Sequence, residues 1–186
     1  VYRRILSSQP DNSVTIVTVG FFSNLKNLLL SEGDEYSSLS GSELVKAKVK
    51  VLISMAGMFP EGKEFNVEVD AKASQVLFSR WPTPIILSGF EIGYEILTGK
   101  SFIDIPLENN PVSDTYAMCL PQDDPQGRHS WDQTAVLVGV RGIADYFKTE
   151  KGIMTVMDNG ENTWIKNENG PHARLLFKMP VSQLTK

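Results

Sequence analysis

Three short apolar runs, Val14–Val19, Val51–Met55 and Ile85–Gly89, set the limits on how this chain can fold. Each run is five or six residues long and rich in branched side chains, which is typical of strands buried on both faces of a sheet. Helical spacing of apolar residues follows the second run at Ala71–Ser79. Short apolar strands that alternate with helices predict an α/β fold with a mostly parallel sheet flanked by helices.

The last part of the chain has a different pattern. Short strand-like segments are separated here by Asn-Gly pairs, which favour tight hairpin turns. We therefore expect C-terminal antiparallel hairpins, followed by a last helix from Pro180 towards Lys186. The strand-like segments are Ile153–Met157, Thr163–Lys166 and Arg174–Phe177, and the turns are Asn159-Gly160 and Asn169-Gly170.

Composition narrows the classes of function. The 186 residues fit one domain, and 22 acidic against 18 basic side chains give a net charge of −4. No basic stripe is present, which argues against a nucleic-acid partner, and no apolar run is long enough to span a membrane. Cys119 is the single cysteine, so an internal disulfide is excluded. The two histidines lack metal-binding spacing, which argues against a zinc enzyme. The compartment, cytoplasmic or periplasmic, stays open.

A carboxylate and an amide follow the second apolar run. Glu64 and Asn66 come after Met55 and a Pro- and Gly-containing loop, with Phe65 between them. Ligands of open α/β sheets bind outside the carboxyl ends of the strands. If the backbone is extended here, Glu64 and Asn66 point to one side and Phe65 to the other, and the pair suits a polyhydroxylated ligand such as a sugar. The alternative is that both residues are solvated or form turns.

A second polar group precedes the apolar segment Ala135–Val140. Ser130 or Asp132 can cap a helix there, which is one sufficient explanation for Asp132. Trp131 can stack on a flat ligand or pack in the interior. His129 is a candidate proton donor, or an ordinary histidine of an exposed loop.

Taken in order, these segments resemble the nucleoside hydrolases, calcium-dependent N-ribohydrolases that cleave inosine, uridine and related nucleosides. Three stretches carry the resemblance. They are Val14–Leu25, similar to a strand ending in G-P-L-T-N-L; Ser54–Gly57 with Glu64-Phe65-Asn66 and Asp70, similar to M-G-G, E-F-N and an acidic residue; and Ser130–Ala135, similar to the late helix with a metal-binding aspartate.

The resemblance implies a Rossmann-like nucleoside hydrolase fold and assigns roles to six residues. Asp132 and the backbone carbonyl of Val19 would bind Ca²⁺, with Asp132 also contacting a ribose hydroxyl. Met55, Glu64 and Asn66 would line the ribose pocket, and Trp131 would lie at the nucleobase. The activity implied is hydrolysis of the N-glycosidic bond to ribose and free base.

Three departures qualify the resemblance. The family's N-terminal D-x-D-x-x-x-D-D cluster is absent, the loop before Glu64 looks short, and Trp131 stands where many members have histidine. We therefore expect residues 1–186 to be the C-terminal portion of a single domain. The catalytic aspartate would lie in the missing part, and this portion alone would be inactive. It would associate with that missing part or form a homo-oligomer.

Three other functions are weighed against this one. A nucleoside- or sugar-binding homologue without turnover is the main alternative, and it is favoured by Trp131 and the short loop. Another nucleotide-binding α/β domain is disfavoured, since no glycine-rich phosphate motif follows a predicted strand. A purely structural interaction module would leave Glu64, Asn66 and Asp132 far apart.

Overall fold

The protein is described by a computed structural model that covers residues 1–105 and 107–184. Its helices are α1 (Tyr2–Ser7), α2 (Ser23–Leu29), α3 (Gly41–Lys48), α4 (Phe65–Glu68), α5 (Ala71–Arg80), α6 (Phe90–Glu95), α7 (Lys100–Asp104), α8 (Pro111–Asp123) and α9 (Trp131–Arg141). Its strands are β1 (Val14–Thr18), β2 (Val49–Met55), β3 (Glu61–Lys63), β4 (Ile85–Ser88), β5 (Leu97–Thr98), β6 (Arg128–His129), β7 (Phe147–Val156), β8 (Glu161–Lys166) and β9 (His172–Phe177).

A central sheet organises these elements in the order β1-β2-β4-β9-β7-β8-β3. The pairs β1-β2, β2-β4 and β4-β9 are parallel. The pairs β9-β7, β7-β8 and β8-β3 are antiparallel. The sheet is thus a parallel half followed by C-terminal antiparallel hairpins, and β5 and β6 form a separate short ribbon.

Helices cover both faces of the parallel half. Successive side chains of a strand point to opposite faces, and β2 shows the consequence, since Leu52 joins one apolar cluster and Ile53 the other. The Leu52 cluster contains buried side chains of α2, α3 and α5. The Ile53 cluster contains buried side chains of α6 and α9. This double coverage explains why the strands are apolar on both faces.

Side-chain caps define two of the helices that carry this packing. Ser40 and Glu43 form a reciprocal capping box at the start of α3, and Asp70 accepts the Ala73 N–H at the start of α5 (3.0 Å). Such caps satisfy N–H groups that have no partner inside the helix.

The α/β class, the parallel strands flanked by helices and the C-terminal hairpins predicted from the sequence are confirmed. Between β4 and α9 lie α6, β5, α7, α8 and β6, and α8 continues through Pro121. The expected last helix is a single 3₁₀ turn, Val181–Gln183, and its predicted end at 185–186 lies outside the described residues. Among the residues that the structure describes, no helix combines the length and apolar character needed to cross a bilayer.

Candidate functional site

An open cleft of about 490 Å³ lies at the carboxyl end of the parallel strands. β1 ends just before Val19, β2 ends at Met55, and α9 begins at Trp131. Since β1 and β2 are parallel, their ends meet at one edge of the sheet, where ligands of such sheets bind. The cleft is lined by Val19, Met55, Lys63, Glu64, Phe65, Asn66, Glu68, Phe90, Trp131 and Asp132.

All six residues to which the resemblance assigns a role line this cleft. They come from three segments that are distant in the chain, around residues 19, 55–66 and 131–132. A structural interaction module would leave Glu64, Asn66 and Asp132 apart, so their convergence weighs against that alternative.

Glu64 is a buried carboxylate held by backbone donors. Its side chain is 3% exposed, and it accepts N–H groups of Asn66 (2.9 Å), Gly57 (3.2 Å) and Val67 (3.3 Å). Burial raises the pKa of Glu64 above its ordinary range, these donors oppose the rise, and the charge of Asp132 adds to it. Glu64 is therefore a fixed acceptor at the wall of the cleft.

Asn66 is fixed in the same way. Its Nδ2 donates to the Met55 carbonyl (3.1 Å) and lies 3.2 Å from the Met55 sulfur. This contact ties the end of β2 to α4, and the Asn66 side chain is 8% exposed.

The extended backbone that would place Glu64 and Asn66 on one side and Phe65 on the other is not present. Glu64 is extended but serves as the N-cap of α4, so Phe65 and Asn66 are helical. Phe65 is 67% exposed, and it lines the cleft rather than pointing away from it. The physical reason is that the Glu64 carboxylate satisfies the free N–H groups of the first helical turn, which favours a helix at this point.

Asp132 lies exposed in the first turn of α9. The positive end of the helix dipole favours a carboxylate there. Partial desolvation raises the pKa of Asp132, and the Arg128 guanidinium opposes the rise.

Capping does not explain Asp132, because no side chain caps α9. Ser130, at the N-cap position, shares a hydrogen bond with the Thr98 hydroxyl instead (2.7 Å).

Trp131 belongs to a cluster of aromatic rings at one wall of the cleft. Its Nε1 donates to the Phe90 carbonyl (2.9 Å), and its ring lies 5.3 Å from Phe90 and 4.8 Å from His129. Arg128 lies 5.6 Å above the Trp131 ring. Trp131 thus packs against its neighbours and also borders the cleft. His129 stacks on Tyr94 at 4.5 Å and is not among the cleft-lining residues.

The oxygen atoms of the cleft fit calcium only in part. The Asp132 carboxylate and the Val19 carbonyl are hard oxygen donors, but Ca²⁺ takes six to eight such ligands. Within residues 1–105 and 107–184, no three Asp, Glu, His or Cys side chains cluster in a way that could hold a metal. The described residues by themselves therefore do not form a calcium site.

Four lining residues were not expected from the sequence. Lys63 and Glu68 form an ion pair of 2.9 Å on the cleft wall, and Phe65 and Phe90 supply aromatic rings. A signal for Phe90 existed, because it directly follows the predicted strand Ile85–Gly89. Lys63 and Glu68 carry no such signal, since charged residues in a loop are ordinarily solvated.

Comparison with known proteins identifies the fold. Neither the family models nor the curated proteins compared with the chain give a match. Among solved structures, a plant nucleoside hydrolase has a TM-score of 0.70 at 18% identity, covering 98% of this chain and 64% of that one. A purine-preferring ribonucleoside hydrolase from Gardnerella vaginalis has a TM-score of 0.69 at 18% identity, covering 94% and 58%.

An inosine-uridine preferring nucleoside hydrolase from Bacillus anthracis has a TM-score of 0.65 at 17% identity, again covering 94% of this chain and 58% of that one. The chain therefore spans 58–64% of the length of these solved structures. The nucleoside hydrolase fold expected from the sequence is confirmed, and at this identity the likeness concerns the fold.

Proposed function

We propose that this chain is part of a nucleoside N-ribohydrolase, which hydrolyses the N-glycosidic bond of ribonucleosides to ribose and free base. The observation that carries the proposal is the convergence of Val19, Met55, Glu64, Asn66 and Asp132 in one cleft. These residues were chosen from three separate stretches of sequence, and the fold of the chain is that of nucleoside hydrolases.

The chemistry of the cleft suits a ribosyl group. Cleavage of an N-glycosidic bond passes through an oxocarbenium-like transition state, whose positive charge is favoured near carboxylates such as Asp132 and Glu64. Asp132 is an exposed acceptor for ribose hydroxyls. Asn66 and Met55 hold each other in place and shape the wall where the sugar would lie.

The catalytic base and most of the metal shell are proposed to lie outside this chain. We propose Ca²⁺ as the cofactor of the complete protein, bound in part by the Asp132 carboxylate and the Val19 carbonyl. When bound, calcium would supply a Lewis acid that orients a water molecule. This chain covers 64% and 58% of two of these neighbours, so their structures include a portion that this chain does not match.

A nucleoside- or sugar-binding protein without turnover is the second candidate. It is favoured by the Glu64 carboxylate, whose oxygens already accept three backbone N–H groups, and by Trp131, which is packed against Phe90 and His129. In this case, the cleft would hold the ribose but would lack a group to activate water.

The deciding experiment measures ribose release from inosine and uridine, with and without Ca²⁺. The protein tested contains this chain together with the portion that corresponds to the rest of the neighbours' fold. Asp132→Ala should lower turnover by about a hundredfold, because a group that stabilises the transition state is lost. Asp145→Ala is the control, since Asp145 is exposed and bonds Lys178 outside the cleft. Ligand binding without any turnover would favour the second candidate, and the absence of both would contradict the proposal.

A further inference from the structure

A buried amide from the C-terminal hairpin holds the loop beside the cleft. Asn162, on β8, is fully buried. Its Oδ1 accepts the Met58 N–H (2.9 Å), and its Nδ2 donates to the Met58 carbonyl (2.8 Å). One side chain thus satisfies both backbone groups of a residue that is 104 positions away in the chain.

The same hairpin supports the rest of the loop. β3 pairs with β8, and Gly62 lies opposite Asn162. The Pro60 carbonyl accepts the Trp164 N–H (2.8 Å). The loop 56–63 connects β2 to α4, and it is bonded to β8 through Met58, Pro60 and the strand β3.

The peptide between Gly57 and Met58 links Asn162 to the cleft. The Gly57–Met58 peptide has its N–H held by Asn162 (2.9 Å) and its carbonyl held by the Phe90 N–H (2.8 Å). With both ends of this plane fixed, the backbone on the C-terminal side of Gly57 is held in place. Gly57 has φ of +83°, a conformation that favours glycine, and its own N–H points at the Glu64 carboxylate (3.2 Å).

We propose that Asn162 is a positioning residue of the cleft. By holding Met58, it aims the Gly57 N–H at Glu64 and thereby fixes the carboxylate that lines the cleft wall. The C-terminal hairpin β7–β8 then helps to position the site, although it contributes no residue to the cleft lining. The importance of the cleft rests on the function proposed above. The coupling between Asn162 and Glu64, through Met58 and Gly57, can be measured without any ligand.

The test uses NMR on this chain to follow the Gly57 amide and the titration of the Glu64 carboxyl group. Asn162→Ala removes both bonds to Met58, so the Gly57 amide should exchange with solvent about tenfold faster. The pKa of Glu64 should rise above its wild-type value, because a donor to the charged form is weakened. Asn159→Ala is the matched control: it removes a side chain of the same hairpin, which bonds Glu161 rather than Met58, and it should change neither readout.

A second variant keeps the test decisive if Asn162→Ala fails to fold. Asn162→Asp has the same shape and still accepts the Met58 N–H, but it places an acceptor against the Met58 carbonyl. Its buried negative charge would itself raise the pKa of Glu64, so the Gly57 amide is the readout in this variant, and its exchange with solvent should again be faster than in the wild type. Wild-type behaviour of Gly57 and Glu64 in a folded Asn162 variant would overturn the proposal, as would equal changes in Asn159→Ala. If the coupling is present in this chain and the longer protein neither binds nor cleaves a nucleoside, the positioning role stands and the proposed function fails.

Discussion

At the scale of single residues, His172 shows how burial turns a titratable side chain into a structural one. It is 3% exposed. Its Nδ1 accepts the Met154 N–H (3.0 Å), and its Nε2 lies 3.0 Å from the Phe78 carbonyl. An accepting Nδ1 and a donating Nε2 describe the neutral imidazole, which joins β9 to β7 and α5. Desolvation lowers the pKa of His172 below its ordinary value of 6.5, while the bond to Phe78 opposes the shift.

Acid should therefore weaken the fold through His172. The folded state binds this proton less readily than the unfolded state does, so the free energy of unfolding falls as the pH drops below 6.5. The slope from one such group is at most about 1.4 kcal/mol per pH unit. The pH dependence of the free energy of unfolding is measured by denaturant unfolding at pH values between about 7.5 and about 5.5.

A pair of variants isolates the contribution of His172. His172→Gln should be less stable at neutral pH but should depend less on pH. Val156→Ala, which opens the core nearby on β7 and keeps the histidine, should retain the slope of the parent. Equal slopes in His172→Gln and the parent would mean that other groups produce the acid sensitivity.

The sequence allowed several residues of the cleft to be predicted, but it did not allow their conformations to be predicted. Glu64, Asn66 and Asp132 stand where polar residues follow an apolar strand or begin a helix, and the resemblance to nucleoside hydrolases selected them among the other polar residues. The capping role of Glu64 was missed because glutamate is not a preferred N-cap residue. Its carboxylate also accepts the Gly57 N–H (3.2 Å), a contact that only the tertiary structure reveals. Asn162 had no signal at all, since its partner Met58 is 104 residues away.

At the scale of secondary-structure elements, Asp70 connects two helices that pack on the same face of the sheet. Its Oδ1 caps α5 through the Ala73 N–H (3.0 Å), and its Oδ2 accepts the Ser23 hydroxyl of α2 (2.7 Å). These two bonds lower the pKa of Asp70 below its ordinary value of 3.8, and the bond from Ser23 has the larger effect. The stabilisation is thus present above that pH and is lost as the pH falls below it.

Asp70→Ala should lower the free energy of unfolding by about 1 kcal/mol at neutral pH, the usual cost of a lost N-cap. Chemical denaturation measures this change. Asp11→Ala serves as its control, because Asp11 forms an exposed ion pair with Lys48 and should change stability by less than about 0.5 kcal/mol. The difference between Asp70→Ala and the parent should shrink in acid. A constant difference across the pH range would show that the charged cap is not the cause.

Elements with a local pattern were predictable, and elements formed by distant pairing were not. β1, β2, β4 and α5 were found from apolar runs and helical spacing. β3, by contrast, reads Glu61-Gly62-Lys63, which has no strand character, and it exists because β8 pairs with it. The helices α6 to α8 were not predicted either, because the apolar residues of this stretch have only a weak helical period.

At the scale of the whole molecule, the two edges of the sheet differ. β3 is three residues long and carries charged residues, Glu61 and Lys63, as edges that face solvent commonly do. β1, at the other end, is five residues long and reads Val-Thr-Ile-Val-Thr. In the part of the chain that the structure describes, β1 pairs with β2 alone. Val140 of α9 is 75% exposed, and α9 packs beside β1.

We expect the β1 edge to be covered in the working protein by a parallel strand of the segment that corresponds to the rest of the neighbours' fold. Such a strand would also bring its carboxyl end beside Val19 and Asp132, the two residues proposed above to bind calcium. Hydrogen exchange tests this expectation. In the present chain alone, the β1 amides that point away from β2 should exchange at least about tenfold faster than those of β4, which lies between β2 and β9. In a longer protein that includes the added segment, they should become as slow as the β4 amides. Exchange that slows instead with rising concentration of the chain alone would show that a second copy covers β1, and protection in the dilute chain would contradict an open edge.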